Sequence, residues 1–141
     1  MKALAIIVLA LGLTACSSNS PYGNFTKTSD QQRSLNASMA IDTAKQLQQT
    51  FAPAATKFVL IHPAKDVYGA TLIKALRDYG FAVAEAGSDN ATDGHKLAYV
   101  IDYMDETRFV VTLRIGQGSA SRLYGVEQNQ LVPLGHWTRQ E

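Results

Sequence analysis

The chain has 141 residues, 46% of them hydrophobic and 18% charged, which suits one globular domain and leaves no room for a large multidomain machine. One of its 13 basic side chains, Lys2, lies in a segment expected to be removed, so 12 basic groups face 12 acidic ones and no broad field remains to attract nucleic acid or acidic lipid. The single cysteine rules out an internal disulfide, so the fold must stand on its core.

The N-terminus reads as an export signal. Met1-Lys2 is a basic start, Ala3 to Leu13 is an unbroken apolar run, and Thr14-Ala15 supplies small residues before Cys16. The run is shorter than the roughly 20 apolar residues that span a bilayer, which disfavours a spanning anchor. Leu13-Thr14-Ala15-Cys16 resembles the lipobox read by the bacterial lipoprotein signal peptidase. The expectation is a signal peptide over 1–15 and a lipidated Cys16. Three acyl chains exceed the two signals that stable attachment needs. Residue 17 is Ser rather than the Asp that resembles an inner-membrane retention signal, which favours the outer membrane, facing the periplasm. Beside a signal that resembles the bacterial lipobox, the sequons at Asn24, Asn36 and Asn90 read as incidental.

Residues 16–32 are rich in Ser, Asn, Thr and Gln and read as the lipidated cysteine and a flexible tether; 33–141 reads as the domain. Leu35, Met39, Ala40, Ala44, Leu47 and Phe51 make one face of a helix that Ser34 or Asn36 can cap and Pro53 bars from continuing. Lys57 to His62 is a short strand. Asp66 caps a second helix running to Tyr79, with Gly80 as its left-handed stop. Phe81 to Ala86 is the next strand. The β-α-β order invites a parallel crossover, or else the helix bridges strands that do not touch.

Residues 87–95 form a polar loop. In Lys96–Met104 and Arg108–Ile115 the apolar side chains take odd positions in both runs. To share one face they need an odd loop, Asp105-Glu106-Thr107, with Ile101 facing Val111. Gln117-Gly118 starts a turn, and Ser121–Glu127 and Leu131–Thr138 are weaker strands, the last confined by Pro133 to an edge or to irregular structure. The sum is α+β: two helices packed on one face of a mainly antiparallel sheet of about five to six strands.

Chemistry is sparse. His62, His95 and His136 lack metal-ligand spacing, and Gly116-Gln117-Gly118 lacks the third glycine and following helix of a dinucleotide loop. Ser119 has no G-x-S-x-G elbow. Asp102, Asp105 and Glu106 read as solvated or paired with Arg108 or Arg114 rather than as a catalytic carboxylate pair. Tyr99, Tyr103, Tyr124 and Trp137 read as packing residues in the absence of a basic patch. No catalytic residue, metal or cofactor is expected, and a hydrolase would require a pocket joining a histidine to carboxylates or Ser119.

Tyr68-Gly69-x-x-Leu72-x-x-Ala75-Leu76, Gly80-Phe81-Ala82-Val83 and Leu97-Ala98-Tyr99-Val100-Ile101-Asp102 occur in that order, followed by Arg122-x-Tyr124 and Leu131-x-Pro133-Leu134. This series resembles the conjugal transfer protein TrbH over roughly residues 30 to 135. The tether, the 87–95 loop and the C-terminus depart from it. The resemblance implies an outer-membrane lipoprotein subunit of a conjugative type IV secretion (mating-pair formation) apparatus. It would be structural rather than enzymatic, partnered by other Trb-type subunits, with a homo-oligomer within a ring assembly as a further option. Direct nucleic-acid binding is not expected. Only Cys16 carries a family role. A ligand-binding or envelope-maintenance lipoprotein unrelated to conjugation is the alternative.

Overall fold

A computed structural model describes residues 30–141, so Cys16, the signal and most of the tether lie outside the described residues. Helix α1 (Asp30–Thr50) begins earlier than the apolar spacing indicates and takes in residues 30–32. Ser34 and Asn36 are therefore interior positions and not caps. The Ser34 carbonyl accepts a bond from Ser38 Oγ, and Asn36, 1% exposed, accepts one from Gln32 Nε2 at 3.1 Å. Polar residues that suit a cap can equally continue a helix whose apolar stripe is buried. Leu35, Met39, Ala40, Ala44 and Leu47 are all buried, and the helix gives way to a short 3-10 turn at Pro53–Ala55.

Strand β1 (Lys57–Leu60) leads to helix α2 (Val67–Asp78), whose ends are as expected. The Asp66 carboxylate accepts the Gly69 N–H at 2.9 Å, capping the start. At the other end Gly80 takes φ +91°, Gly80 N–H reaches the Arg77 carbonyl and Phe81 N–H reaches that of Leu76. That is a Schellman motif, closed by the buried pair Leu76 and Phe81. Strand β2 (Ala82–Ala84) follows and lies parallel to β1, so the helix does join touching strands.

The chain then crosses β1 to enter β3 (His95–Tyr103), also parallel to β1. His95 belongs to this strand rather than to the loop before it, because Phe58 pairs with it. Strands β3 and β4 (Arg108–Ile115) form the expected hairpin, with Ile101 opposite Val111 and Met104 N–H bonded to the Arg108 carbonyl across residues 105–107. Strand β5 (Gly118–Glu127) starts three residues before the sequence suggests. The two-residue turn Gly116-Gln117, with Gly116 at φ +61°, lets pairing resume at once with Ile115 opposite Gly118.

The final run is two strands, β6 (Gln130–Pro133) and β7 (Thr138–Gln140), both pairing the same side of β5. The split raises the strand count to seven. Leu134 N–H still reaches the Leu123 carbonyl, but β7 resumes two residues out of step, so 135–137 bulge opposite Arg122. The β5–β6 turn is Gln128-Asn129, at φ +50° and +62°. A residue pair with both φ values positive has the geometry of a primed hairpin turn, but glutamine does not advertise it.

The sheet order is β2-β1-β3-β4-β5-β6, with β7 beside β5. Both helices cover the face carrying Phe58, Leu97, Tyr99, Ile101, Phe109, Val111 and Tyr124, which form one core with α1 and α2. On the opposite face the 85–94 connection covers β1, where Lys57 Nζ donates to the Asn90 carbonyl and Val59 is 1% exposed. Over the rest of that face, from β3 to β6, no helix lies among the described residues.

Candidate functional site

Two polar networks pin the helices to the sheet. In the first, Asp42 on α1 meets the inward side chains of β5. Tyr124 Oη donates to Asp42 Oδ2 at 2.5 Å, and Arg122 Nη1 reaches the same oxygen at 2.8 Å. Arg122 also donates through Nε to the Gly135 carbonyl at 2.9 Å, so this one side chain ties helix, sheet and edge bulge together. Burial first, then the bond to the Asp42 carboxylate, pushes the Tyr124 phenol well above its usual range.

In the second network Asp66 binds two elements at once. Its Oδ1 caps α2, and its Oδ2 accepts from Tyr99 Oη at 2.6 Å. Gly69 makes this possible, because a Cβ there would stand 2.1 Å from Tyr99 Oη. Tyr68 packs against Tyr99 with ring centroids 4.7 Å apart and planes tilted by 46°, and its hydroxyl pairs with Thr43 of α1 at 2.7 Å. Burial raises both phenols far above the ordinary range. Tyr68, Gly69 and Tyr99 thus hold α2 to β3 and α1.

Beside the first network runs a groove between α1 and the β6 edge. Ser38 and Asp42 form one wall of a cavity of about 400 Å³, Leu131 and Pro133 the other, with Leu35 and Tyr124 at its floor. A second cavity of about 550 Å³ continues it around the N-terminal end of α1, past Thr107 and Gln128, and shares Leu35 and Asn129. Hydrogen-bonded and non-bonded pairs alternate along an antiparallel ladder. Since Leu134 bonds to Leu123, β6 turns Val132 and Gln130 toward β5, and the Leu131 N–H and C=O and the Pro133 C=O outward. The opposite edge is blunted: the Arg77 guanidinium donates to the Val83 carbonyl at 3.1 Å and pairs with Glu85 at 2.9 Å.

The residues singled out in the sequence scatter over the fold. Among the described residues no three His, Cys, Asp or Glu side chains come close enough to hold a metal. Gly116-Gln117 is a hairpin turn. Asp105 is held by Arg108 at 2.6 Å and by Thr107, and the Arg108 bond draws its carboxyl down to about 2. Tyr99 and Tyr124 are buried in the core, Tyr103 is 45% exposed, and Trp137 is partly buried with its indole N–H unpaired among the described residues. His95, Ser119 and Glu141 do share a cavity of about 260 Å³. No hydrogen bond links Ser119 to His95, however, whose ring lies 5.1 Å from Phe51 and 6.2 Å from Phe58. A nucleophile needs its base within hydrogen-bond reach, and here the imidazole packs on aromatic rings instead.

Asp42 and Asp66 escaped sequence reading as network centres. Their partners stand 80 and 33 residues away, and only the Arg122-x-Tyr124 pair hinted at the first.

The family model described as conjugal transfer protein TrbH matches residues 19–141, spanning both networks and the groove. No curated protein and no solved structure matches.

Proposed function

The chain belongs to the TrbH family of conjugal transfer proteins, and from that membership we propose that it is a lipid-anchored structural subunit of a conjugative type IV secretion apparatus. The family match carries this reading. It covers residues 19–141 and so the whole folded domain, while the anchor is read from the lipobox-like run Leu13-Thr14-Ala15-Cys16 that precedes the match. Lipid on Cys16 holds the chain to the outer membrane from the periplasmic side, and the residues between Cys16 and α1 give the domain its reach.

The subunit works by binding rather than by chemistry. Asp42, Asp66, Tyr68, Tyr99 and Tyr124 spend their buried polar atoms on joining helices to sheet or to each other, and the Ser119–His95 cavity lacks the contact that would activate a nucleophile. The groove beside β6 is where an extended strand from another channel subunit docks. The outward Leu131 N–H and C=O supply main-chain bonds, and the α1 wall contacts its side chains.

Replacing Cys16 by Ala tests the anchor. The variant is expected to keep the circular dichroism of the folded domain, to lose radiolabelled fatty acid and outer-membrane fractionation, and to lower plasmid transfer at least tenfold. Normal transfer by a soluble, unlipidated variant would overturn the anchoring role.

A further inference from the structure

The groove beside β6 opens where the described chain begins. Helix α1 starts at Asp30, and its early residues Gln32 and Leu35 already line the cavity that continues the groove. The residues just before Asp30, Tyr22-Gly23-Asn24-Phe25-Thr26-Lys27-Thr28-Ser29, are therefore delivered to its mouth. Leu35 and Asn129 mark this end, and Asp42 and Pro133 the other, so α1 and β6 run in the same sense. A segment that doubles back from Asp30 along the β6 edge runs antiparallel to β6, as a short connection allows.

The chemistry of this segment matches the groove in order. In an extended chain, residues two apart share one side, so Phe25 and Lys27 face the same way. Phe25 opposite Leu131 sets its ring against Leu35 and Leu131. Lys27 then falls nearer α1, opposite Asn129, where Glu106 lines the second cavity. Glu106 belongs to no ion pair among the described residues, whereas Asp42 at the far end is already held by Arg122 and Tyr124. The one cation of the segment thus meets the carboxylate that lacks one.

We propose that in the free subunit residues 22–29 fill this groove as a strand added to β6, with Phe25 bonded to the outward Leu131 N–H and C=O and Lys27 beside Glu106. A strand from another subunit docks by displacing them. The inference rests on the reading of the groove as a strand-docking site and adds its regulation. An intramolecular strand occupies the groove at high effective concentration, so only a strand that makes more contacts takes its place. With the segment docked, residues 17–21 alone join the domain to Cys16, at most about 17 Å of chain; released, residues 17–29 extend to at most about 45 Å. Docking of a partner therefore also lengthens the domain's reach from the membrane.

The test follows amide hydrogen exchange by NMR in the full, lipidated chain in detergent. The Leu131 amide is expected to exchange at least a hundredfold more slowly than in an open chain, independent of protein concentration. Phe25→Ser or Lys27→Glu should each speed it at least tenfold while Val111 in β4 stays protected, and Glu106→Lys should restore protection to the Lys27→Glu variant. An unprotected Leu131 in the wild type overturns the proposal, as does protection indifferent to both variants or a charge swap that restores nothing. Protection that grows with concentration assigns the groove to a second copy and overturns it equally. A Leu131 amide open in the free chain and protected only by added channel subunits overturns this inference and leaves the strand-docking reading standing. Protection in the free chain that no channel subunit displaces upholds the docked segment and removes that reading instead.

Discussion

Gly69→Ala separates tertiary constraint from local propensity. In an exposed helix interior, alanine is better than glycine by about 1 kcal/mol. Here the new methyl would stand 2.1 Å from Tyr99 Oη and 2.6 Å from Ala64 Cβ. Tyr99 is 2% exposed and its hydroxyl is bonded to Asp66, so neither neighbour is a loose side-chain end. Overpacking costs roughly 1–3 kcal/mol. Expelling the Tyr99 hydroxyl forfeits a bond to a buried carboxylate, on the order of 1.5–3 kcal/mol. After the gain in propensity, the expected net loss is roughly 1.5–5 kcal/mol. Urea unfolding followed by far-UV circular dichroism measures it, with Tyr99→Phe and the double variant closing a thermodynamic cycle. Because the clash is chiefly with the hydroxyl, Gly69→Ala should cost at least about 1 kcal/mol less in the Tyr99→Phe background. A single variant as stable as the parent, or strictly additive costs, would refute the lock between α2 and β3.

Asp42→Asn removes the charge shared by Arg122 and Tyr124 and leaves Arg122, whose side chain is 17% exposed, without its counter-ion. The expected loss is about 1–3 kcal/mol, read as a lower urea midpoint and less than additive with Tyr124→Phe. Alkaline pH should also unfold the domain. The phenols of Tyr68, Tyr99 and Tyr124 are raised in the folded state above their unfolded value of 10.0, so their contribution is intact below pH 10 and is lost as pH climbs past it. Each adds up to about 1.4 kcal/mol of lost stability per pH unit in that window. Urea midpoints between pH 8 and 11 should fall steeply above 10, and less steeply in Tyr124→Phe; a flat profile, or an unchanged slope in the variant, contradicts the burial of these hydroxyls.

Much of the fold was legible because its signals are local. The Asp66 cap, the Gly80 stop and the odd parity shared by β3 and β4 each depend on residues within a few positions. They led to the helix ends and the Ile101–Val111 register that the structure shows. Where signals were ambiguous, tertiary context decided. Ser34 and Asn36 suit a cap, yet α1 runs past them because its buried stripe continues. Leu131 to Thr138 looks like one strand, yet the Arg122 bond to Gly135 and the three-residue bulge break it in two.

The amino-acid order alone determined the helix stop at Gly80, the parity that pairs β3 with β4, and the alternation that makes one sheet face oily. Only the tertiary structure decided what the buried polar groups are for. Asp42 meets Arg122 and Tyr124, Asp66 meets Tyr99, and Lys96, Arg114, Asp102 and Glu127 come to share one face of the sheet. Contacts between residues so far apart leave no periodicity in the sequence. They depend on which elements lie side by side, and that is settled by burying the whole core at once.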